Sequence, residues 1–197
     1  MSSPADELKL AHDSIETSLS GTSYEFSIKA VIAARIGYPI APVVDRMKRD
    51  LINRTPGTWA GMRRNGTTGS GHYWGTYAEC IHSSLLQSQE GFLRVFPDWY
   101  ADRAARFVRL RARGAFLVSS AIDDKGLVGD VKVFSEKGKE AKLLPPWQRL
   151  GSVTDANRKA VHYTRDGNII AFETEAGQTY TVCGEGARSA DTTGALE

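Results

Sequence analysis

Long apolar runs, cysteine pairs and net charge are all scarce in this sequence, and each scarcity narrows the functions open to it. No run approaches the roughly 20 apolar residues of a membrane helix, so no membrane partner is expected. The opening Met1-Ser2-Ser3-Pro4-Ala5-Asp6-Glu7-Leu8 has neither a basic start nor an apolar h-region, which speaks against a signal peptide. For a chain that begins inside a longer protein that feature carries no information, and the compartment stays open. A formal charge of +2 is too small to imply a nucleic-acid partner. Cys80 and Cys183 are the only cysteines, with no CxxC and no nearby histidine pair. They read as buried free thiols rather than disulfide or ligand residues, leaving the redox compartment undetermined. His12, His82 and His162 lack spaced partners and read as surface or packed residues. Neither a metal nor an organic cofactor is indicated.

What the chain does have is enough length and apolar content for a sizeable core. Its 197 residues can form one domain or two small ones, and its apolar and charged fractions, 41% and 24%, are those of an ordinary globular protein. Residues 3–88 read helical. Ser3 can cap a first helix with Pro4 at its first position, and Leu8, Ala11, Ile15 and Leu19 form a stripe. After Gly21, Ser23 can cap a second helix, with Phe26, Ala30, Ala33 and Ala34 near one face and Gly37 as its stop. Pro42 opens a third, in which Val43, Val44, Met47, Leu51 and Ile52 recur at helical spacing, with Asp45, Arg46, Lys48 and Arg49 mostly opposite. A loop rich in Gly, Thr and Arg follows from about residue 53 to 75, and a loop of that length is either functional or poorly ordered. A fourth helix is expected over residues 76–88, turning Tyr77, Cys80, Ile81, Leu85 and Leu86 inward.

At Gly91 the helical pattern stops and the period changes to two. Arg106-Phe107-Val108-Arg109-Leu110-Arg111-Ala112 alternates as a half-buried strand does. Further strands are expected over residues 115–122, 128–135, 140–144, 159–164, 168–174 and 178–183. Asp123-Asp124-Lys125-Gly126, Asp166-Gly167 and Ala176-Gly177 supply turns. Short, evenly spaced strands argue an antiparallel sandwich. The tail from residue 184 is small and polar and reads as disordered. The basic run Arg103, Arg106, Arg109, Arg111 and Arg113 lies near Asp98, Asp102, Asp123 and Asp124, and reads as a salt-bridged strand face rather than a nucleic-acid surface. Trp99 and Trp147 read as structural aromatics that staple the helical part to the strands.

Several strings in this order resemble the C-terminal part of glycoside hydrolases of family ninety-five, which includes α-L-fucosidases. They are Leu85-Leu86-Gln87-Ser88-Gln89-Glu90-Gly91-Phe92-Leu93-Arg94-Val95-Phe96-Pro97-Asp98-Trp99 and Leu110-Arg111-Ala112-Arg113-Gly114-Ala115-Phe116-Leu117-Val118. Ser135-Glu136-Lys137-Gly138, Pro146-Trp147 and Ile170-Ala171-Phe172-Glu173-Thr174-Glu175-Ala176-Gly177-Gln178-Thr179-Tyr180 follow. The resemblance runs from about residue 24 to 182. It implies an α+β multidomain fragment, in which residues 1–90 are the last helices of an incomplete (α/α)6 catalytic toroid. Residues 91–183 would be an antiparallel β-sandwich and 184–197 a tail. The implied partners are a carbohydrate and the upstream part of the toroid.

Inverting glycoside hydrolysis needs an acid to protonate the leaving oxygen and a base to activate water. The resemblance implies that the acid lies upstream, while one further acidic position falls on or near His72, in Gly69-Ser70-Gly71-His72-Tyr73-Trp74. Histidine there departs from the pattern: it can move a proton or contact sugar, but it brings no negative charge. Glu79 is the nearest downstream carboxylate. His72 and Glu79 are thus the catalytic candidates, set against a former sugar cleft and a helix-surface carboxylate. Trp59, Tyr73 and Trp74 are candidate sugar-stacking residues, with packing between helices as the alternative. The chain is expected to be inactive alone; the competing reading is a non-catalytic carbohydrate-binding or architectural module.

Overall fold

The computed structural model describes residues 4–20, 26–52 and 72–185. The chain is α+β, with four helices and mainly antiparallel sheets among the described residues. It divides into two compact units, Met1–Ser84 and Leu85–Glu197.

The first unit holds α1 (Pro4–Ser20), α2 (Phe26–Arg35), α3 (Ile40–Ile52) and all but the last residue of α4 (His72–Leu85). The expected stripe on α1 buries only towards its C-terminal end: Ile15 is buried, whereas Leu8 is exposed. On α2 the buried face is made of Ala30, Ala33 and Ala34, all without exposed surface, and Ile28 and Ile32 face outward. Gly37 ends α2 as expected. At φ +77 it lets the Tyr38 amide reach back to the Ala33 carbonyl at 3.0 Å, the six-to-one bond of a Schellman cap. Helix α3 starts at Ile40, so Pro42 lies within its first turn, where a missing amide proton costs little.

One side chain in this unit contradicts the pattern. Arg46, expected on the outer side of α3, is 4% exposed. Its Nη1 donates to the carbonyls of Ser18 and Leu19 at the end of α1, and its Nε donates to Asp50 at 3.1 Å. Those carbonyls have no intrahelical partner, and a cation there also meets the negative end of the helix dipole. The Tyr77 hydroxyl donates to the other Asp50 oxygen at 2.7 Å, tying α4 to α3.

Helix α4 runs from His72 to Leu85 rather than over residues 76–88, and the chain enters β1 (Leu86–Gln87) at once. The transition expected at Gly91 therefore comes earlier. Gly91, at φ +88, instead sits in the connection between β1 and β2 (Arg94–Val95), which pair antiparallel.

The second unit contains a five-stranded antiparallel sheet in the order β3-β4-β5-β10-β7. Its strands are β3 (Ala105–Ala112), β4 (Phe116–Ile122), β5 (Val131–Ser135), β10 (Thr179–Gly184) and β7 (Leu150–Thr154). A second sheet orders β6 (Ala141–Leu143), β9 (Ile169–Phe172) and β8 (Thr164–Asp166) as β6-β9-β8. Leu93, just before β2, bridges Leu143 in parallel and so links the hairpin to this sheet. Both sheets and the hairpin contribute to one apolar core, including Leu93, Phe107, Val118, Val133, Leu143, Ile170 and Val182.

Strand β3 shows how its sequence was only half regular. Phe107 and Ala112 are buried and Leu110 is half-buried, which strict alternation does not allow. A bulge between Phe107 and Leu110 resets the phase. Arg109 sits in it at φ +56, and its amide donates to the Ser119 hydroxyl at 2.9 Å instead of to a ladder partner. The strand expected over residues 159–164 is not continuous. Asp155 Oδ1 accepts the amides of Asn157 and Lys159, both at 2.9 Å, and closes a turn, leaving Ala160 as an isolated bridge before β8. Strand β7 has no counterpart in the sequence reading, because Leu150-Gly151-Ser152-Val153-Thr154 carries little apolar signal. Gly184 belongs to β10 and pairs with Leu150, so order extends into the tail; residues 186–197 lie outside the described residues.

Candidate functional site

The candidates in the first unit are placed as follows. Trp59 and most of the loop around it lie outside the described residues, while His72, Tyr73 and Trp74 occupy the first turn of α4 rather than a loop. Glu79 lies on the same helix and is engaged. Arg35 Nη2 contacts its Oε1 at 2.8 Å and the Ser83 hydroxyl donates to the same oxygen at 3.2 Å. His82 Nδ1 stands 3.7 Å from Oε2, so this histidine does have a spaced partner, three residues along the helix. These three groups are basic or neutral. His12 packs edge-on against Tyr38, with ring centroids 5.3 Å apart.

The thiols behave as expected of unbridged cysteines. Neither is in a disulfide; Cys80 is fully buried and Cys183 half-buried with its Sγ 3.1 Å from the Ser152 hydroxyl.

In the second unit the basic run is dispersed over different partners. Arg111 forms a two-pronged pair with Glu136, at 2.7 and 3.0 Å, rather than with the nearby aspartates. Arg103 lies over the Tyr100 ring and Arg109 over Phe134. Hydrogen bonding to Arg111 holds the Glu136 carboxyl below its usual range and raises the Arg111 guanidinium. Trp99 and Trp147 pack against the core of this unit, and their ring nitrogens donate to Arg103 and Val128 carbonyls, at 3.0 and 2.7 Å.

A cavity of about 190 Å³ opens at one end of the unit, where three chain segments meet. The β1–β2 turn provides Ser88, Gly91, Phe92 and Leu93; the β3–β4 turn and the start of β4 provide Arg113, Gly114 and Phe116; β6 and the residues before it provide Lys139, Glu140 and Lys142. Hydrogen bonds stitch the segments together. The Arg113 amide donates to the Ser88 hydroxyl at 3.0 Å, its Nη1 to the Gln89 carbonyl at 3.2 Å, and the Leu93 amide to the Lys142 carbonyl at 2.7 Å. Gly114 is required here: at φ +87, an added Cβ would stand 2.7 Å from the Phe116 ring. Nothing in the sequence marked this cavity, because its segments are distant along the chain and Lys139, Glu140 and Lys142 belong to an ordinary charged stretch.

Asp98 follows β2. Burial pushes its carboxyl up to about 6, with the Arg94 charge pulling the other way, and its Oδ2 has no hydrogen-bond partner. The unfolded carboxyl titrates near 3.9. Between about pH 4 and pH 6 the folded state therefore binds the extra proton, and this group's stabilising effect is lost as pH rises through that window. Asp98→Asn is expected to stabilise the protein by about 1 kcal/mol at pH 7, the full shift being discounted for partial exposure. Urea denaturation of both proteins should show that gain shrinking to nothing near pH 4.

No family model matches the chain, and no curated protein matches it. Among solved structures it is similar to the catalytic domain of GH30 xylanase C from Talaromyces cellulolyticus. The identity is 11%, over 51% of this chain and 27% of that one, with a TM-score of 0.31. It is also similar to a family 39 glycoside hydrolase from the gut symbiont Bacteroides cellulosilyticus WH2. There the identity is 15%, over 62% of this chain and 22% of that one, again with a TM-score of 0.31. The chain spans about a quarter of the length of these structures. A likeness this partial decides neither fold nor function.

Proposed function

We propose that this chain is the C-terminal part of a glycoside hydrolase related to family ninety-five, α-L-fucosidase-like, and is inactive alone. In this reading residues 1–90 are the last helices of an (α/α)6 toroid and residues 91–183 an accessory β-sandwich. The supporting observation is convergence. Two strings that resemble the family, around Ser88–Phe92 and Arg113–Phe116, lie apart in sequence yet line one cavity, and a third ends at Gly138, beside Lys139.

Hydrolysis of an O-glycosyl bond requires two groups on opposite sides of the bond. His72 stands where the resemblance implies an acid, and it can relay a proton but not offset a cationic transition state. Glu79 is held by Arg35 and Ser83. Trp59, Tyr73 and Trp74 are assigned to contact with sugar. The general acid belongs to the upstream toroid, the chain's partner. Purified 1–197 is therefore expected to give no turnover of aryl α-L-fucosides. Robust turnover, abolished by His72→Ala or Glu79→Gln, would overturn this.

A second reading, a non-catalytic carbohydrate-binding module, is favoured by the cavity itself, because it lies wholly within the sheet unit and needs no complete active site.

A further inference from the structure

We propose that the cavity at the β1–β2 turn binds a single sugar ring carrying a carboxylate, a uronic acid. Charge is the first argument. Arg113, Lys139 and Lys142 line the cavity against one carboxylate, Glu140, which already lies 3.1 Å from Lys142. Neither Arg113 nor Lys139 forms an ion pair among the described residues. The Arg113 guanidinium uses one nitrogen on the Gln89 carbonyl. Its remaining planar donors suit a two-pronged grip on a carboxylate.

Shape is the second argument. A volume of about 190 Å³ lies below the roughly 300 Å³ at which pockets for larger ligands begin, a size suited to one ring. Phe92 is the half-buried aromatic in the wall, in front of the buried Leu93 and Phe116, and an aromatic face with a few convergent polar groups suits the C–H face of a pyranose. A bare phosphate or acetate would leave that apolar surface uncovered.

Preorganisation is the third. Lys139 is fixed through its carbonyl, which accepts the Thr174 hydroxyl, while Ser135 Oγ takes the Gly138 amide at 3.0 Å. With Arg113 on Ser88 and Gln89, and Leu93 on Lys142, the backbone of all three segments is anchored before any ligand arrives, and the exposed Lys139 and Lys142 side chains extend from it. Less ordering then opposes binding.

The choice of a sugar rests on the carbohydrate-active reading above; the requirement for an anion rests on the cavity alone. Isothermal titration of the full chain with D-glucuronate, D-glucose and inorganic phosphate tests both. Glucuronate is expected to bind saturably, with glucose and phosphate each weaker by about tenfold or more, as for the loss of a charge-assisted or an apolar contact. The double variant Lys139→Gln with Lys142→Gln should weaken glucuronate by about tenfold or more, with an unchanged melting temperature as the control for folding. Arg113→Gln gives an independent variant with the same expectation. A flat glucuronate titration, glucose or phosphate binding as well as glucuronate, or unchanged affinity in the variants would overturn the site. Any of these leaves the hydrolase reading untouched, because that reading depends on turnover and on the mass of the native polypeptide.

Discussion

Leu143→Ala should destabilise the sheet unit by about 3 kcal/mol, within the 2–5 range for emptying a buried leucine site. Leu143 has no exposed surface, and it stands where the elements of the unit join. Its strand pairs with β9, opposite Ile170, while its flanking backbone receives Leu93. The cavity left by truncation is bordered by backbone hydrogen-bonded on both sides, which restricts collapse and keeps the cost high. Urea denaturation read by hydrogen exchange at the β9 and β10 amides would measure it. Leu127→Ala is the control: Leu127 is 65% exposed, and its truncation should change stability by less than about 0.5 kcal/mol. Equal effects from the two substitutions would mean that the core has been misplaced.

Gly184→Val is expected to cost about 3 kcal/mol, at the upper end of ordinary overpacking. A Cβ at this position would fall inside the Trp147 ring, and the Gly184 carbonyl already lies 2.9 Å from where a Gly151 side chain would begin. Trp147 cannot swing aside freely, because its ring nitrogen is bonded to the Val128 carbonyl at 2.7 Å. Gly184 thus makes room for the indole, and Gly151 for the close approach of the neighbouring strand's backbone. The double variant Gly184→Val with Trp147→Leu should cost less than the two single changes added together, since the clash is removed with its partner. Strict additivity in that cycle would show that the two residues do not meet.

The legibility of this chain in its sequence varied from element to element. Gly37 ended α2 as its position implied, because a left-handed cap is a local requirement that local sequence can state. The strand around Val133 was visible through its alternation, and those around Val118, Phe172 and Val182 as short segments bounded by turns. Strand β7 was not, since it is held by pairing with β10 and by the Gly151–Gly184 approach rather than by apolar residues of its own. The bulge at Arg109 was hidden in a pattern that looked regular until its phase was counted. Arg46 was placed outside because sequence periodicity cannot see the open carbonyls at the end of another helix.

The site was less legible than the fold. Glu79 was identified as a carboxylate near the expected place, but its partners Arg35 and Ser83 emerged only once α2 and α4 were placed. The cavity depends on three turns brought together by long-range pairing. Its residues carried no motif beyond the strings that resemble the hydrolase family.

The central claim is that this chain works as the C-terminal part of a larger sugar-cleaving enzyme. The measurement that tests it most directly is the intact mass of the native polypeptide, captured with an antibody raised against the sheet unit. The account predicts a mass well above the 21.5 kDa of this chain, because a catalytic toroid must be joined to it. A native mass of 21.5 kDa would contradict the account and leave a free-standing module in its place.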